Sequence, residues 1–167
     1  DFMGWMPVPG RTEFRLSLAY LKKLAGELGM APGRKDVTPK IEQASSAFYR
    51  GFLRGLFDAD GSVQGSQEKG VSVRLAQSDR ERLLAVQRML LRLSIVSTLY
   101  EGRRPPQVRL LPDQRGGQRE YATAEQHELV ISGDNLLRFA ERVGFSDSDK
   151  ALRLRTLCSA YRRMVNR

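Results

Sequence analysis

Apolar and polar positions recur along this chain with two periods, and the switches between them mark its elements. Residues 11–29 open on a short alternating stretch, TEFRLS, that predicts a strand. LAYLKKLAGELG follows, with Leu18, Leu21, Leu24, Ala25 and Leu28 at helical spacing, and Gly29 ends that helix. MAPGRKDVTP reads as a loop, and KIEQASSAFYRGFLRGLFDADG predicts a second helix starting near Ser45 or Ser46. GSVQGSQ and GVSVRLAQ, joined by a Gly/Ser/Lys turn, predict a hairpin. In its second strand Val71, Val73 and Leu75 point one way, and Ser72, Arg74 and Ala76 the other. SDRERLLAVQRMLLRLSI predicts a helix opened by a capping box of Ser78 and Glu81. VSTLYEG reads as a strand, residues 102–126 are less regular with QVRLL as a strand edge, and HELVIS is a strand again. Asp134 caps NLLRFAERV, which Gly144 closes. A last helix runs from about Asp149 to Val165, with Leu154, Leu157, Cys158, Tyr161 and Val165 on one face. From the helix near Ser45 the order is α-β-β-α-β-β-α-α: an α+β fold, an antiparallel sheet with helices on one face.

Composition narrows the function. With 167 residues and 41% apolar content, the chain can bury the core of one ordinary domain, or one plus a fragment. No apolar run approaches the roughly 18 residues of a membrane span, so no membrane partner is expected. Lys and Arg outnumber Asp and Glu, 28 to 19, a surplus that suits a polyanion, most often nucleic acid. Arginine dominates, and its planar fork matches phosphates and guanine edges. One Cys and one His exclude a disulfide framework and a structural zinc site, and fit a reducing, cytoplasmic location. Cys158 and Trp5 read as packing residues and His127 as structural.

The chain also matches itself. TEFRLSLAYLKKLAGELGM lies against HELVISGDNLLRFAERVGF, pairing Glu13 with Glu128, Ser17 with Ser132, Leu21 with Leu136, Ala25 with Ala140 and Gly29 with Gly144. Apolar residues meet at Phe14/Leu129, Leu16/Ile131, Leu24/Phe139, Leu28/Val143 and Met30/Phe145, and Lys35 then meets Lys150 without a gap. Residues 1–43 are therefore expected to be the tail of a truncated first repeat with its linker, and residues 44–167 a complete second one. In the first copy the counterpart of FDADG would precede Asp1.

The helix ending in FDADG raises a question of its own. A helix C-terminus already carries partial negative charge, so Asp58 and Asp60 cost stability there unless something offsets them. Gly51, Gly55 and Ala59 form a small-residue stripe at i, i+4 and i+8, although interior glycines cost about 1 kcal/mol each relative to alanine. Such a stripe makes sense where another backbone approaches closely. Phe48, Phe52 and Leu56 form the neighbouring stripe, expected to face this repeat's own core. An EF-hand reading of DADGSV fails, because the glycine comes at position four from Asp58 and not at six.

LRGLFDADG resembles the LAGLIDADG motif of homing endonucleases at seven of nine positions. The element order agrees with that family's αββαββα unit. RKDVTPKIEQASSAFYRGFLRGLFDADGSV is similar to the second-repeat region of intein-borne endonucleases, with Lys35 and Pro39 one residue further apart than the usual Lys-x-x-Pro. NLLRFAERVGF with Lys150 resembles the downstream block. The resemblance implies two motif helices packed side by side, each delivering its last acid to a metal ion. The second helix would come from a missing N-terminal segment or from a homodimer partner. Asp60 is then the metal ligand, Asp58 a brace for the helix end, and Mg²⁺ the ion that hard oxygen ligands suit.

The implied reaction is metal-dependent hydrolysis of two phosphodiester bonds in double-stranded DNA. Lys150 and Lys35 would stabilise transition-state charge or poise the water, and Gln77 would hold the water network. The sheet would read the major groove. Gln64, Ser66, Ser72 and Arg74 are the candidates on its wet face, and Arg103, Arg104, Arg109, Arg115 and Arg119 would extend the footprint. The chain is not expected to splice: inteins start with Cys or Ser and typically end in His-Asn, and this one runs from Asp1 to MVNR. Two other readings stay open, a non-catalytic DNA-binding regulator of the same fold and an RNA maturase.

Overall fold

A computed structural model describes residues 4–10, 14–16, 18–31, 36–66, 70–112 and 117–165. The chain divides into two compact units, Asp1–Gln43 and Ala44–Arg167.

In the N-terminal unit, strands β1 (Trp5–Pro7) and β2 (Phe14–Leu16) pair antiparallel, Trp5 opposite Leu16. Helix α1 (Ala19–Glu27) follows, and Gly29 ends it with φ +83°, a conformation that suits glycine. Thr38 closes the loop at both ends. Its hydroxyl donates to the Leu28 carbonyl (2.5 Å) and accepts from Ile41 N, capping the short helix α2 (Pro39–Glu42). Trp5, expected to pack, is 65% exposed, because a lone two-stranded ribbon offers it no second layer.

The C-terminal unit is built on helix α3 (Ser46–Asp60), strands β3 (Gly61–Ser66) and β4 (Gly70–Gln77), and helix α4 (Arg80–Arg92). Strands β5 (Thr98–Arg104), β6 (Gln107–Pro112), β7 (Gln118–Thr123) and β8 (Gln126–Ser132) come next, then helices α5 (Asp134–Arg142) and α6 (Ser148–Val165). Four strands form an antiparallel sheet in the order β3-β4-β8-β5. Val63, Val73, Leu75, Leu129 and Ile131 are buried on one face beneath the helices. The other face carries Ser62, Gln64, Arg74 and Glu128. The architecture is the expected α+β one.

Four local readings need correction. The N-cap of α5 is Gly133, with φ +58°, and Asp134 is the first residue inside the helix and not its cap. The irregular stretch 102–126 contains a hairpin: β6 pairs with β7 as a separate two-stranded sheet inserted between β5 and β8. Helix α4 is capped by Asp79, whose carboxylate accepts from Arg82 N at 3.0 Å, one residue later than the Ser78 box predicted. On α3 the buried stripe is Tyr49, Leu53 and Phe57, one position along from Phe48, Phe52 and Leu56. Those three are only half-buried and lie between the core and the glycine stripe. Tertiary contacts set the roll of the helix, among them edge-to-face packing of Phe57 on Phe139 of α5, with ring centroids 4.9 Å apart. Cys158 is buried as expected, and among the described residues no helix is long and apolar enough to cross a membrane.

Candidate active site

The site grows from the junction of α3 with β3, where helix passes into strand with no loop. Gly61 makes that junction feasible. A Cβ there would sit 2.6 Å from the Phe57 carbonyl oxygen and 2.8 Å from its ring, so any larger residue would force the helix end away from the strand. Asp60 is consequently the last helical residue and is exposed at the edge of the sheet.

The two acids at this helix end are offset by different means. Asp58 turns to the start of α6, where its carboxylate accepts from Ser146 N (2.9 Å) and Asp147 N (3.2 Å). In return the Lys150 ammonium donates to the Asp58 and Phe57 carbonyls at 2.5 and 3.4 Å, where the α3 dipole favours a cation. Asp147 caps α6 by accepting from Lys150 N at 2.9 Å. Asp58 thus braces its helix by gripping a neighbouring one. Asp60 takes no part in this clamp. Its Oδ2 accepts from Gln77 Nε2 at 2.8 Å, and Arg82 Nη1 donates to the Gln77 side-chain Oε1 at 3.4 Å. Gln77 is the last residue of β4, so the sheet itself fixes the carboxylate's orientation.

One further face of α3 belongs to the site. Gly51, Gly55 and Ala59 are all exposed, and a Cβ at Gly51 or Gly55 would meet nothing within 4 Å. With Phe48 stacked on Phe52 beside it, this flat face lies opposite the core stripe and ends at Asp60.

The sheet's outer face departs from expectation at Ser72. That residue points outward but is buried beneath Arg74, whose Nε donates to its hydroxyl at 2.8 Å, so it is not a free polar contact. Gln64 lies on the same face with its amide on Ser62 Oγ (3.0 Å), and Ser66 is exposed at the strand end. Arg103 and Arg104 are exposed on β5. The Arg109 side chain, Arg115 and Lys35 lie outside the described residues. His127 is structural, its Nδ1 accepting from Gly102 N at 3.1 Å. Sequence reasoning missed the role of Glu128, a buried acid on the outer face that holds Arg74 and Arg103 at 3.2 Å each. The only signal was an acid at an outward position of HELVIS. Beside the sheet, Arg80 bonds Glu101 at 2.8 Å; that hydrogen bond raises the guanidinium and lowers the carboxyl from their ordinary values.

A helix ending in two acids and a glycine, flush with an antiparallel sheet, defines a family, and the chain belongs to it: residues 47–144 match the LAGLIDADG-like domain. Among curated relatives it is 32% identical over 111 residues to the ribonucleoside-diphosphate reductase NrdEB subunit alpha of Bacillus subtilis (strain 168), covering 65% of this chain and 10% of that one. It is 30% identical over 123 residues to the DNA polymerase of Thermococcus litoralis, covering 73% of this chain and 6% of that one. The chain therefore spans a tenth or less of the length of these curated relatives. A structure of mesophilic variants of the homing endonuclease I-DmoI superposes with a TM-score of 0.53 at 19% identity, over 93% of this chain and 66% of that one, a likeness of fold.

Proposed function

We propose that this chain is part of a site-specific double-stranded DNA endonuclease, with Asp60 as its metal-ligating acid. The observation that carries the reading is the position of Asp60: exposed at the end of a helix whose small-residue face is open, and oriented by Gln77. Among the described residues no three acids, histidines or cysteines cluster to hold an ion. One exposed carboxylate still fits Mg²⁺, which keeps most of its waters and binds through one or two carboxylates. A second helix docked on Gly51, Gly55 and Ala59 would bring a second acid close to Asp60, and the two would share the ion.

Bound there, Mg²⁺ would activate water and stabilise the leaving oxygen of a phosphodiester. The chain's own residues have narrower tasks. Gln77 orients the Asp60 carboxylate through its side-chain amide. Lys150 secures the C-terminal turn that presents Asp60, and its charge, like that of Lys35, would favour an anionic transition state. The sheet's outer face, with Gln64, Arg74 and Arg103, would supply the DNA contacts, and the exposed Arg104, together with Arg109, would extend them.

The second acid would come from a first repeat or from another copy of this chain. The matched boundaries of α1 and α5, which begin and end 115 positions apart, support residues 1–43 as the tail of such a repeat and residues 44–167 as a whole one. The relatives favour an intein setting. Two enzymes of unrelated chemistry share this segment with the chain over a small part of their length, which suits a module carried inside longer hosts.

The test is cleavage of a randomised duplex library with Mg²⁺, comparing the wild type with Asp60→Asn. Asp60→Asn should fold and bind duplex normally while losing at least a hundredfold in cleavage (about 2.7 kcal/mol of barrier). Equal cleavage by both proteins would remove Asp60 from the chemistry. Salt-sensitive binding without cleavage by either, even once the chain has paired, would favour the regulator.

A further inference from the structure

Glu128 does something on the sheet's outer face that the cleavage chemistry does not require. It sits on β8, between β4 and β5, opposite Ala76 on one side and Tyr100 on the other. Although it is a carboxylate on the polar face, it is only 4% exposed. Two guanidiniums cover it, Arg74 Nη1 and Arg103 Nε, both 3.2 Å from the same oxygen, Oε2. Arg74 is held a second time through its Nε on Ser72 Oγ. Arg103 is held a second time by its own strand, lying 4.9 Å over the Tyr100 ring.

The backbone is shaped to make this possible. Register slips between Tyr100 and Arg104 in a bulge, and Gly102 within it has φ +59°. A Cβ at Gly102 would also come 2.8 Å from Glu125 Oε1. A bulge re-aims the side chain that follows it, here Arg103, onto the outer face.

An arginine on a DNA-facing sheet can meet a phosphate, which carries no sequence information, or a guanine edge, which does. The geometry points to the second role for these two: Glu128 is a positioning residue that fixes Arg74 and Arg103 as readers of guanine in the major groove. This rests on the DNA-binding reading above. The donor inventory supports it. Glu128 engages Arg103 through Nε, which leaves its terminal Nη1/Nη2 edge free, the fork that pairs bidentately with guanine O6 and N7. Arg74 keeps both Nη2 protons and one on Nη1. The shared carboxylate also cancels one of the two positive charges, lowering the pull of any nearby phosphate. Two stiff arginines from β4 and β5, the strands that flank β8, would then demand guanine at two positions of the target.

The experiment is selection of binding sites from a randomised duplex pool by the full chain in metal-free buffer. Wild type, Glu128→Gln and Arg103→Lys are compared, each checked for folding by circular dichroism, and the salt dependence of binding is measured for each. Wild type should select guanine at two positions. Glu128→Gln should lose about tenfold or more of that preference while binding random duplex more tightly, with a salt slope steeper by about one unit. Arg103→Lys, which keeps the charge and needs no refolding of the sheet, should lose guanine at one position only and leave the slope unchanged. Guanine preference and slope that survive Glu128→Gln would overturn the inference and leave the endonuclease reading standing, as would a wild-type site without guanine. A folded wild type that binds no duplex would overturn both.

Discussion

Helices α1 and α5 carry the same apolar pattern, start and stop at matching positions, and meet opposite fates. In α5, Leu136 is 2% exposed and Phe139 fully buried, packed over β8 and against Phe57 and Phe145. In α1 the corresponding Leu21 and Leu24 are 46% and 36% exposed, and none of its residues is buried. Both helices are closed by a glycine of positive φ, Gly29 and Gly144. Local sequence therefore suffices to write the helix and its stop, while burial depends on what the stripe faces. In the C-terminal unit a four-stranded sheet meets it; in the N-terminal unit the sheet is a ribbon of two three-residue strands. An amphipathic helix without a cover has lost most of what stabilises helices of this length.

The sharpest way to break this comparison is a matched pair of truncations. Leu136→Ala should cost about 2–5 kcal/mol in urea unfolding of the full chain, since it empties a closed core. Leu21→Ala, at the equivalent repeat position, should stay within about 0.5 kcal/mol, as surface changes do. Equal losses would mean that the α1 stripe is covered in solution.

The same contrast explains how much could be read beforehand. The strand-helix-strand order, the open glycine face of α3 and the prominence of Asp60 were all legible, because each rests on local periodicity or on one short motif. The roll of α3 was not. Phe48, Phe52 and Leu56 looked as apolar as Tyr49, Leu53 and Phe57, and tertiary contacts, among them Phe139 on Phe57 and Arg92 on Tyr49, decide between the stripes. Ser72 looked available because alternation gives its direction and not the neighbour that covers it. The β6–β7 hairpin escaped because charged residues interrupt its alternation. The Glu128 clamp joins residues 54 and 25 positions apart through strand register, which no spacing along the chain displays.

A smaller effect tests whether the glycine face of α3, like the stripe of α1, is open. Gly55→Ala adds a methyl group that would touch nothing within 4 Å. In the lone chain it should stabilise by about 1 kcal/mol, the helix propensity gained. If a second helix already docks there in solution, the methyl instead holds the backbones apart. The unfolding midpoint would then fall, and sedimentation would show less of the paired species.

The smallest expected difference concerns surface charge, which should not separate the two units at all. Lys23 and Glu27 on α1 form an i,i+4 pair at 3.9 Å, and Arg80 with Glu101 forms an exposed pair in the C-terminal unit. The sign for Glu101 follows from its lowered carboxyl: the pair contributes at neutral pH, and that contribution is lost as pH falls through the folded carboxyl's range. Solvent and salt screen both partners, so Glu101→Gln should flatten the acid limb of the stability curve slightly at low ionic strength and have no effect at 1 M salt. A Glu101→Gln loss as large as that of Leu136→Ala would place part of the C-terminal unit's advantage in its charges. The difference between α1 and α5 would then no longer be one of packing alone.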